Sequence, residues 1–107
     1  MQQLSPQQLA AWLADPAREK PVLLDVREPW EIEICRLRDS VHIPMASVPA
    51  RKEELDPEAD TVVVCHLGAR SFQVGVLLEA SGFRNVFNLS GGVDGWAKQV
   101  DPGMPQY

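Results

Sequence analysis

The chain has few residues of the kinds that build disulfide scaffolds, metal sites or membrane spans. Its 107 residues include two cysteines, Cys35 and Cys65, and two histidines. These are too few for a disulfide framework and lack the spacing of a zinc site. No apolar run approaches the roughly 20 residues that cross a bilayer, and the start "MQQLSPQQLA" lacks the basic head and apolar stretch of a secretory signal. We therefore predict a cytoplasmic protein whose cysteines stay reduced.

Positive charge is also scarce, since 10 lysines and arginines face 15 aspartates and glutamates, for a net charge of −5. This balance argues against nucleic acid or an anionic membrane as a partner, because both select basic surfaces. The hydrophobic share of 45% is ordinary for a globular protein. Together with the length, it predicts a single domain over residues 1–107.

Helical and strand patterns alternate along the chain. Strands are predicted at "PVLLDV", "SVHIPM", "TVVVC" and "NVFNL". Helices are predicted at "SPQQLAAWLAD", "EPWEIEI", "SFQVGVLLEASGF" and "GGVDGWAKQV", with one surface helix and a loop within "ASVPARKEELDPEAD". Such alternation is typical of a parallel α/β sheet, in which ligands bind beyond the carboxyl ends of the strands. Cys65, Asp25–Arg27 and Leu89–Gly91 all fall at such ends.

The same patterns predict which side chains are buried. Ser5 is expected to cap the first helix, and Gly82 to end the helix at "SFQVGVLLEASGF" in a left-handed conformation. Trp12 and Trp96 lie at helical spacing with other apolar residues and are predicted to be core. The helix at "SFQVGVLLEASGF" is predicted to bury Phe72, Val76, Leu77 and Ala80.

The stretch "CHLGAR" places Cys65 between a strand and the start of a helix. First-turn amides of a helix have no partner within it and favour an anion. Gly68 lets the backbone curl so that several N–H groups can converge, and Arg70 adds a positive charge. The pattern therefore favours a Cys65 thiolate at neutral pH without a separate general base.

The spacing of this loop favours sulfur over phosphate chemistry. Cysteine phosphatases carry a His directly before the cysteine, and five residues separate that cysteine from the arginine. Here Val64 precedes Cys65, and only four residues separate Cys65 from Arg70. A tighter loop has fewer amides for phosphate oxygens and better fits one extra sulfur on the cysteine. A phosphatase or arsenate reductase is the less favoured alternative.

Three stretches, in the same order along the chain, resemble the rhodanese-like sulfurtransferases: "LLDVREPWE", "VVVCHLGARS" and "GFRNVFNLSGGVDGW". The matching positions are Asp25, Arg27 and Glu28, then Cys65, Gly68, Arg70 and Ser71, then Gly91, Gly92 and Trp96. The chain departs from the family's pattern at "CRLRDS", residues 35–40, where two arginines and a second cysteine replace a Gly-His-Ile-Pro-Gly-Ala segment.

The resemblance implies a single rhodanese-like α/β domain: a small, mostly parallel sheet of four to five strands with helices on both faces. It implies that Cys65 is the catalytic nucleophile, takes a sulfane sulfur from thiosulfate or a similar small anion, and passes it from a persulfide to cyanide, a thiol or a protein thiol. No metal or cofactor is expected, and the protein is expected to be a monomer or weak homodimer. A persulfide carrier or regulatory module for a protein partner is the alternative within this family.

Roles around Cys65 follow from these positions. The predicted substrate-binding residues are His66, Leu67, Gly68, Ala69, Arg70 and Ser71. His66 and Leu67 are expected on the rim, and Arg70 either organises the loop and attracts anions or pairs with a surface carboxylate. Ser71 either bonds the helix start or donates to the cysteine sulfur, and these alternatives stay open.

Residues farther along the chain are expected to support the site. Asp25 and Arg27 are predicted to brace the loop through charged hydrogen bonds. Cys35 could resolve a Cys65 persulfide into a disulfide. Arg36 and Arg38 either steer an anionic donor or form a solvated charged segment.

Overall fold

The computed structural model describes residues 1–107 as a parallel sheet with helices on both faces. The strands are β1 (Gln2–Leu4), β2 (Val22–Asp25), β3 (Val41–His42), β4 (Asp60–Val64) and β5 (Asn85–Leu89). The helices are α1 (Pro6–Ala14), α2 (Pro29–Ile34), α3 (Val48–Arg51), α4 (Ala69–Ala80) and α5 (Gly92–Gln99), and 3₁₀ turns flank α3 at Met45–Ser47 and Lys52–Glu54. The predicted α/β class and parallel sheet are confirmed.

The order of the strands places one crevice at the centre of the sheet. The order is β1-β5-β4-β2-β3, and every neighbouring pair is parallel. From β2 the chain moves outward to β3, whereas from β4 it moves in the opposite direction to β5. Open α/β sheets bind ligands where the connections diverge in this way. Asp25 ends β2 beside Val64 of β4, so Cys65 follows directly at this crevice.

Each face of the sheet has its own apolar core. Leu78 and Val74 of α4 pack with Val63 and Val86 on one face, together with Cys65. On the other face the buried residues are Leu9, Trp12, Leu23, Cys35, Leu37, Val62, Val64, Leu89 and Val93. Trp12 is buried as predicted, and Trp96 is half-buried against the second core.

The face that α4 buries differs from the prediction. Phe72 and Val76 are 45% and 49% exposed, Ala80 is exposed and Leu77 is half-buried. The buried residues are instead Ser71, Val74, Gly75 and Leu78. Apolar residues lie all round this helix, so periodicity could not select a face. Ser71 at the cysteine and the close packing of Met1 against Gly75 mark the face that is buried.

Two other elements differ from the sequence-based prediction. β1 was not predicted, because its two glutamines are exposed and its strand character comes from pairing with β5 at the sheet edge. The surface helix predicted after Pro44 is only the four-residue α3 between two 3₁₀ turns. Pro49 fits its first turn and Pro57 follows closely, leaving little room for a longer helix.

The left-handed backbone predicted at Gly82 is confirmed, with φ +96°. Ser5 caps α1 through a reciprocal pair of hydrogen bonds with Gln8. None of the helices combines the length and apolar character that crossing a membrane requires.

Candidate active site

Cys65 lies at the end of the central strand, directly below the first turn of α4. Only 1% of the surface of Cys65 is exposed. The Gly68 amide donates to Sγ at 3.1 Å, and Ser71 Oγ lies 3.2 Å from the same sulfur. Gly68 has φ +106°, a backbone conformation that L side chains rarely adopt. The sulfur is thus contacted by an amide and a hydroxyl at the start of α4, where first-turn amides have no partner within the helix.

The start of α5 holds the same loop from outside. The amides of Val93 and Asp94 donate to the carbonyl oxygens of Cys65 and His66, at 2.9 and 3.1 Å. Gly92 passes so close that a Cβ atom there would overlap both carbonyls, and its φ is +59°. Because these carbonyls are bound to α5, they are not available to face an anion in the loop. The glycine pair predicted from the sequence is therefore a support for the cysteine loop.

Ser71 belongs to a buried hydrogen-bond chain that continues into β5. Its hydroxyl donates to Asn88 Oδ1 at 2.5 Å. Asn88 Nδ2 donates in turn to the Gly68 carbonyl at 3.2 Å and to Gln3 Oε1 at 2.9 Å. Because the Gly68 carbonyl can only accept, it fixes which way the Asn88 amide points. The Ser71 hydroxyl thus lies at the sulfur but gives its proton to Asn88, so its role as a donor to the sulfur stays a prediction.

Arg70 is held by a buried carboxylate. Its Nη1 and Nη2 donate to Oε2 and Oε1 of Glu31 at 2.7 and 2.8 Å, and Glu31 is 3% exposed. Hydrogen bonds from Arg70 lower the pKa of Glu31 to about 2, helped by the Glu28 amide and Tyr107 and opposed by burial. The hydrogen bonds from Glu31 likewise raise the pKa of Arg70. A carboxylate does pair with Arg70, but it is a buried one that fixes the guanidinium at the loop.

Asp25 and Arg27 form a second, fully buried pair beside this one. Arg27 is 0% exposed and donates from Nη2 to Asp25 Oδ2 at 2.7 Å and to the Cys35 carbonyl at 2.7 Å. Burial alone would lower the pKa of Arg27, but hydrogen bonds and charge from Asp25 and Tyr107 raise it. Neither residue bonds the cysteine loop directly. Arg27, held by Asp25, binds the carbonyls of Glu31 and Cys35 towards the C-terminal end of α2. This helix carries Glu31 and through it positions Arg70.

A small cavity opens over the cysteine. Its volume is about 140 Å³, and it is lined by Cys65, His66, Leu67, Ala69 and Arg70. Sites for drug-sized ligands are typically about 300–1,000 Å³, so this cavity suits a small anion. Leu67 stands at its rim with 62% of its surface exposed. Four of the six predicted substrate-binding residues thus line the cavity with Cys65. The other two, Gly68 and Ser71, contact the cysteine sulfur.

The comparisons with known proteins agree with this geometry. The family model for the rhodanese-like domain matches residues 5–99. The chain belongs to the rhodanese-like family. A rhodanese-like domain protein from Staphylococcus aureus superposes with a TM-score of 0.84 at 25% identity, covering 100% of this chain and 99% of that one.

Two relatives show how this rhodanese-like domain is used elsewhere. A protein of Allochromatium vinosum named sulfurtransferase is 35% identical over 103 residues, covering 96% of this chain and 92% of that protein. "Rhodanese-like/PpiC domain-containing protein 12, chloroplastic" of Arabidopsis thaliana is 38% identical over 106 residues. The match covers 94% of this chain but only 36% of the Arabidopsis protein, so the domain also occurs within longer chains.

The rhodanese-like site does not include every residue singled out in the sequence. Cys35 is buried in the core on the opposite face from the core that contains Cys65, and both cysteines are free. Arg36 and Arg38 are exposed and line a separate cavity of about 270 Å³. The structure therefore does not bring Cys35, Arg36 or Arg38 to the cysteine loop.

Conversely, three residues at the site were not predicted: Glu31, Asn88 and Tyr107. Asn88 had a usable signal, since it is a polar residue inside the apolar run "NVFNL". Glu31 is one of several acidic residues of its segment, and Tyr107 is far from Cys65 in sequence. Only the fold brings these two to Arg70.

Proposed function

We propose that the protein is a cytoplasmic sulfurtransferase that carries sulfur as a persulfide on Cys65. The observation that carries this proposal is the Cys65 sulfur, which receives the Gly68 amide and lies beside the Ser71 hydroxyl within a loop too small for a bulky substrate. The name of the Allochromatium relative supports the same reaction class.

In the first half-reaction, the Cys65 thiolate attacks the outer sulfur of thiosulfate. The Sγ–S bond forms as the S–S bond of thiosulfate breaks, and sulfite leaves with the electron pair. The Gly68 amide, the Ser71 hydroxyl and the first-turn amides of α4 stabilise the anionic persulfide, and Arg70 attracts the anionic donor. In the second half-reaction, cyanide or a thiolate takes the outer sulfur and the Cys65 thiolate is restored.

The size of the cavity bears on the phosphatase alternative, whereas Arg70 does not decide it. Two of the five guanidinium N–H groups are bound to Glu31, and the other three remain available to a sulfur or a phosphorus oxyanion. The cavity volume of about 140 Å³ favours a small sulfur anion over a phosphorylated side chain or nucleotide.

Intact-protein mass spectrometry after incubation with thiosulfate tests the proposal. We expect wild type to gain one sulfur, about 32 Da, and Cys65→Ser to gain none. Cys35→Ser is the matched control and should gain sulfur like wild type, because Cys35 lies on the opposite face of the sheet. If wild type gains no sulfur from thiosulfate or other sulfane donors, or gains it equally in Cys65→Ser, the proposal is wrong.

A dedicated sulfur carrier is a second candidate, and the exposed Leu67 favours it. An apolar side chain that is 62% exposed at the rim suits contact with a protein more than with cyanide. Single-turnover transfer from the loaded protein distinguishes the two. An enzyme of the thiosulfate–cyanide type releases sulfur rapidly to free cyanide, whereas a carrier keeps it until a protein thiol is added.

A further inference from the structure

The segment after α5 folds back onto the cysteine loop and places Tyr107 beside it. The Tyr107 ring stacks on His66, with ring centroids 3.9 Å apart and planes 12° apart. Trp30 packs edge-on against the same tyrosine ring, with ring centroids 5.8 Å apart. Residue 107 is thus in direct contact with a residue of the active-site loop, although 41 positions separate it from His66 (107 − 66).

The hydroxyl of Tyr107 lies between two charged groups. It donates to Glu31 Oε1 at 2.8 Å and accepts from Arg27 Nη1 at 3.0 Å. Burial raises the pKa of Tyr107 to about 12, with Arg27 opposing and Glu31 reinforcing the shift. The hydroxyl therefore remains protonated at neutral pH and available as a donor.

The Tyr107 hydroxyl lies between Arg27 and the carboxylate of Glu31, so it keeps Arg27 from competing with Arg70 for that carboxylate. Glu31 Oε1 accepts from Arg70 Nη2 at 2.8 Å as well as from Tyr107. Arg27 Nη1 already reaches the Glu31 carbonyl at 3.4 Å. Without the Tyr107 hydroxyl, Arg27 Nη1 would keep only two longer contacts, to the Glu31 carbonyl at 3.4 Å and to the Cys35 sulfur at 3.8 Å. This buried cationic donor would then draw the Glu31 carboxylate towards itself. Arg70, whose side chain is 36% exposed, would then lose part of its anchor.

The ring has a separate effect on His66. His66 Nε2 is buried and has no hydrogen-bond partner, so the imidazole is held by packing and not by a polar contact. The stacked Tyr107 ring supplies that packing at the cavity rim.

We propose that Tyr107 is a positioning residue of the active site, which fixes Arg70 through Glu31 by its hydroxyl and holds His66 by its ring. This inference deepens the proposed function, because it assigns the anion selectivity of the cysteine loop partly to the segment after α5. Tyr107 acts through other residues and does not itself touch Cys65.

The test compares a charged and a neutral reagent at Cys65. Iodoacetate carries a negative charge that Arg70 attracts, whereas iodoacetamide is neutral and reports only access to the sulfur. We expect Tyr107→Phe to lower the ratio of the two alkylation rates about three- to tenfold, because it removes the hydroxyl and keeps the ring. Peptide-level mass spectrometry separates Cys65 from Cys35. Tyr107→Ala should lower the ratio equally and also abolish the ring-current shift of the His66 imidazole protons, which Tyr107→Phe retains.

Gln106→Ala is the matched control, because Gln106 is exposed and neighbours Tyr107; it should keep the wild-type ratio and the His66 shift. A wild-type ratio in Tyr107→Phe would overturn the role of the hydroxyl, as would an equal slowing of both reagents, which indicates a general structural effect. An unchanged His66 shift in Tyr107→Ala would overturn the role of the ring. These measurements need no sulfur transfer, so their outcome is independent of the outcome of the persulfide experiment.

Discussion

Ser71 carries one hydroxyl proton, and two acceptors lie within its reach. Asn88 Oδ1 accepts that proton at 2.5 Å, while the Cys65 sulfur lies 3.2 Å away. With a neutral Cys65 thiol, the S–H donates to Ser71 and the chain of hydrogen bonds is complete. With a thiolate or persulfide, the Gly68 amide supplies the first hydrogen bond to sulfur. The Ser71 proton supplies a second one if it turns from Asn88 Oδ1 towards the sulfur.

We therefore expect Ser71→Ala to slow persulfide formation about tenfold, since a hydrogen bond to a charged group contributes about 1.5 kcal/mol or more. The measurement is the time course of the gain in mass with thiosulfate. Ser81→Ala is the control, because Ser81 lies at the far end of α4, is exposed, and its hydroxyl bonds only the Leu77 carbonyl. Equal rates in both variants and wild type would show that Ser71 merely fills space.

Among the elements, the start of α5 holds the cysteine loop from outside. Its two amides bind the carbonyls of Cys65 and His66, and Gly92 allows the approach. This contact joins β4 and β5 of the central sheet to one another through their following loops, so helix and loop cannot move independently.

Gly92→Ala should destabilise the protein by about 2–4 kcal/mol and slow persulfide formation, because the new Cβ would displace both carbonyls. Gly82→Ala is the matched control. Gly82 also has a positive φ, of +96°, but no atom lies within 4 Å of its Cβ position, so it should cost only about 1–2 kcal/mol and leave the rate unchanged. Urea unfolding measures both variants, and equal losses of stability would contradict the close contact at Gly92.

Across the whole molecule, one hydrogen-bonded network of charged and polar side chains joins β2, α2, the cysteine loop and the segment after α5. Asp25, Arg27, Tyr107, Glu31 and Arg70 follow one another in it, each within hydrogen-bond distance of the next. Breaking one partner of a buried pair leaves a charge uncompensated, which makes such a network sensitive to pH.

The free energy of unfolding should record the ionisation of Glu31. Its pKa is about 2 in the folded protein against an ordinary 4.5, so the ionised form stabilises the fold above the ordinary value. That contribution should be lost as pH falls from about 4.5 towards 2. Glu31→Gln should lower stability at pH 7 by about 1–3 kcal/mol and flatten the pH dependence in this window.

Urea unfolding between neutral and acid pH measures this difference. Glu33→Gln is the control, because Glu33 lies on the same helix and is exposed; its curve should follow that of wild type. If the curve of Glu31→Gln also runs parallel to that of wild type through the acid range, the Glu31 network does not set the acid stability.

The sequence alone determined the elements whose signal is local. The apolar runs of β2, β4 and β5, the Ser5 cap of α1 and the position of Cys65 between a strand and a helix follow from side-chain type and spacing. The glycine of the cysteine loop and the glycine pair at the start of α5 could also be predicted from the sequence, because glycine tolerates left-handed backbone conformations that other residues rarely adopt.

Tertiary structure decided what depends on contacts between distant segments. It selected the buried face of α4, where apolar residues on all sides leave periodicity without information, and it made β1 a strand by pairing two glutamines with β5. It also gave Arg70 its partner, since the charge of an arginine does not specify which carboxylate it meets. Glu31, Asn88 and Tyr107 lie far from Cys65 in the chain, and they reach its loop only because the parallel sheet brings its carboxyl ends to one edge.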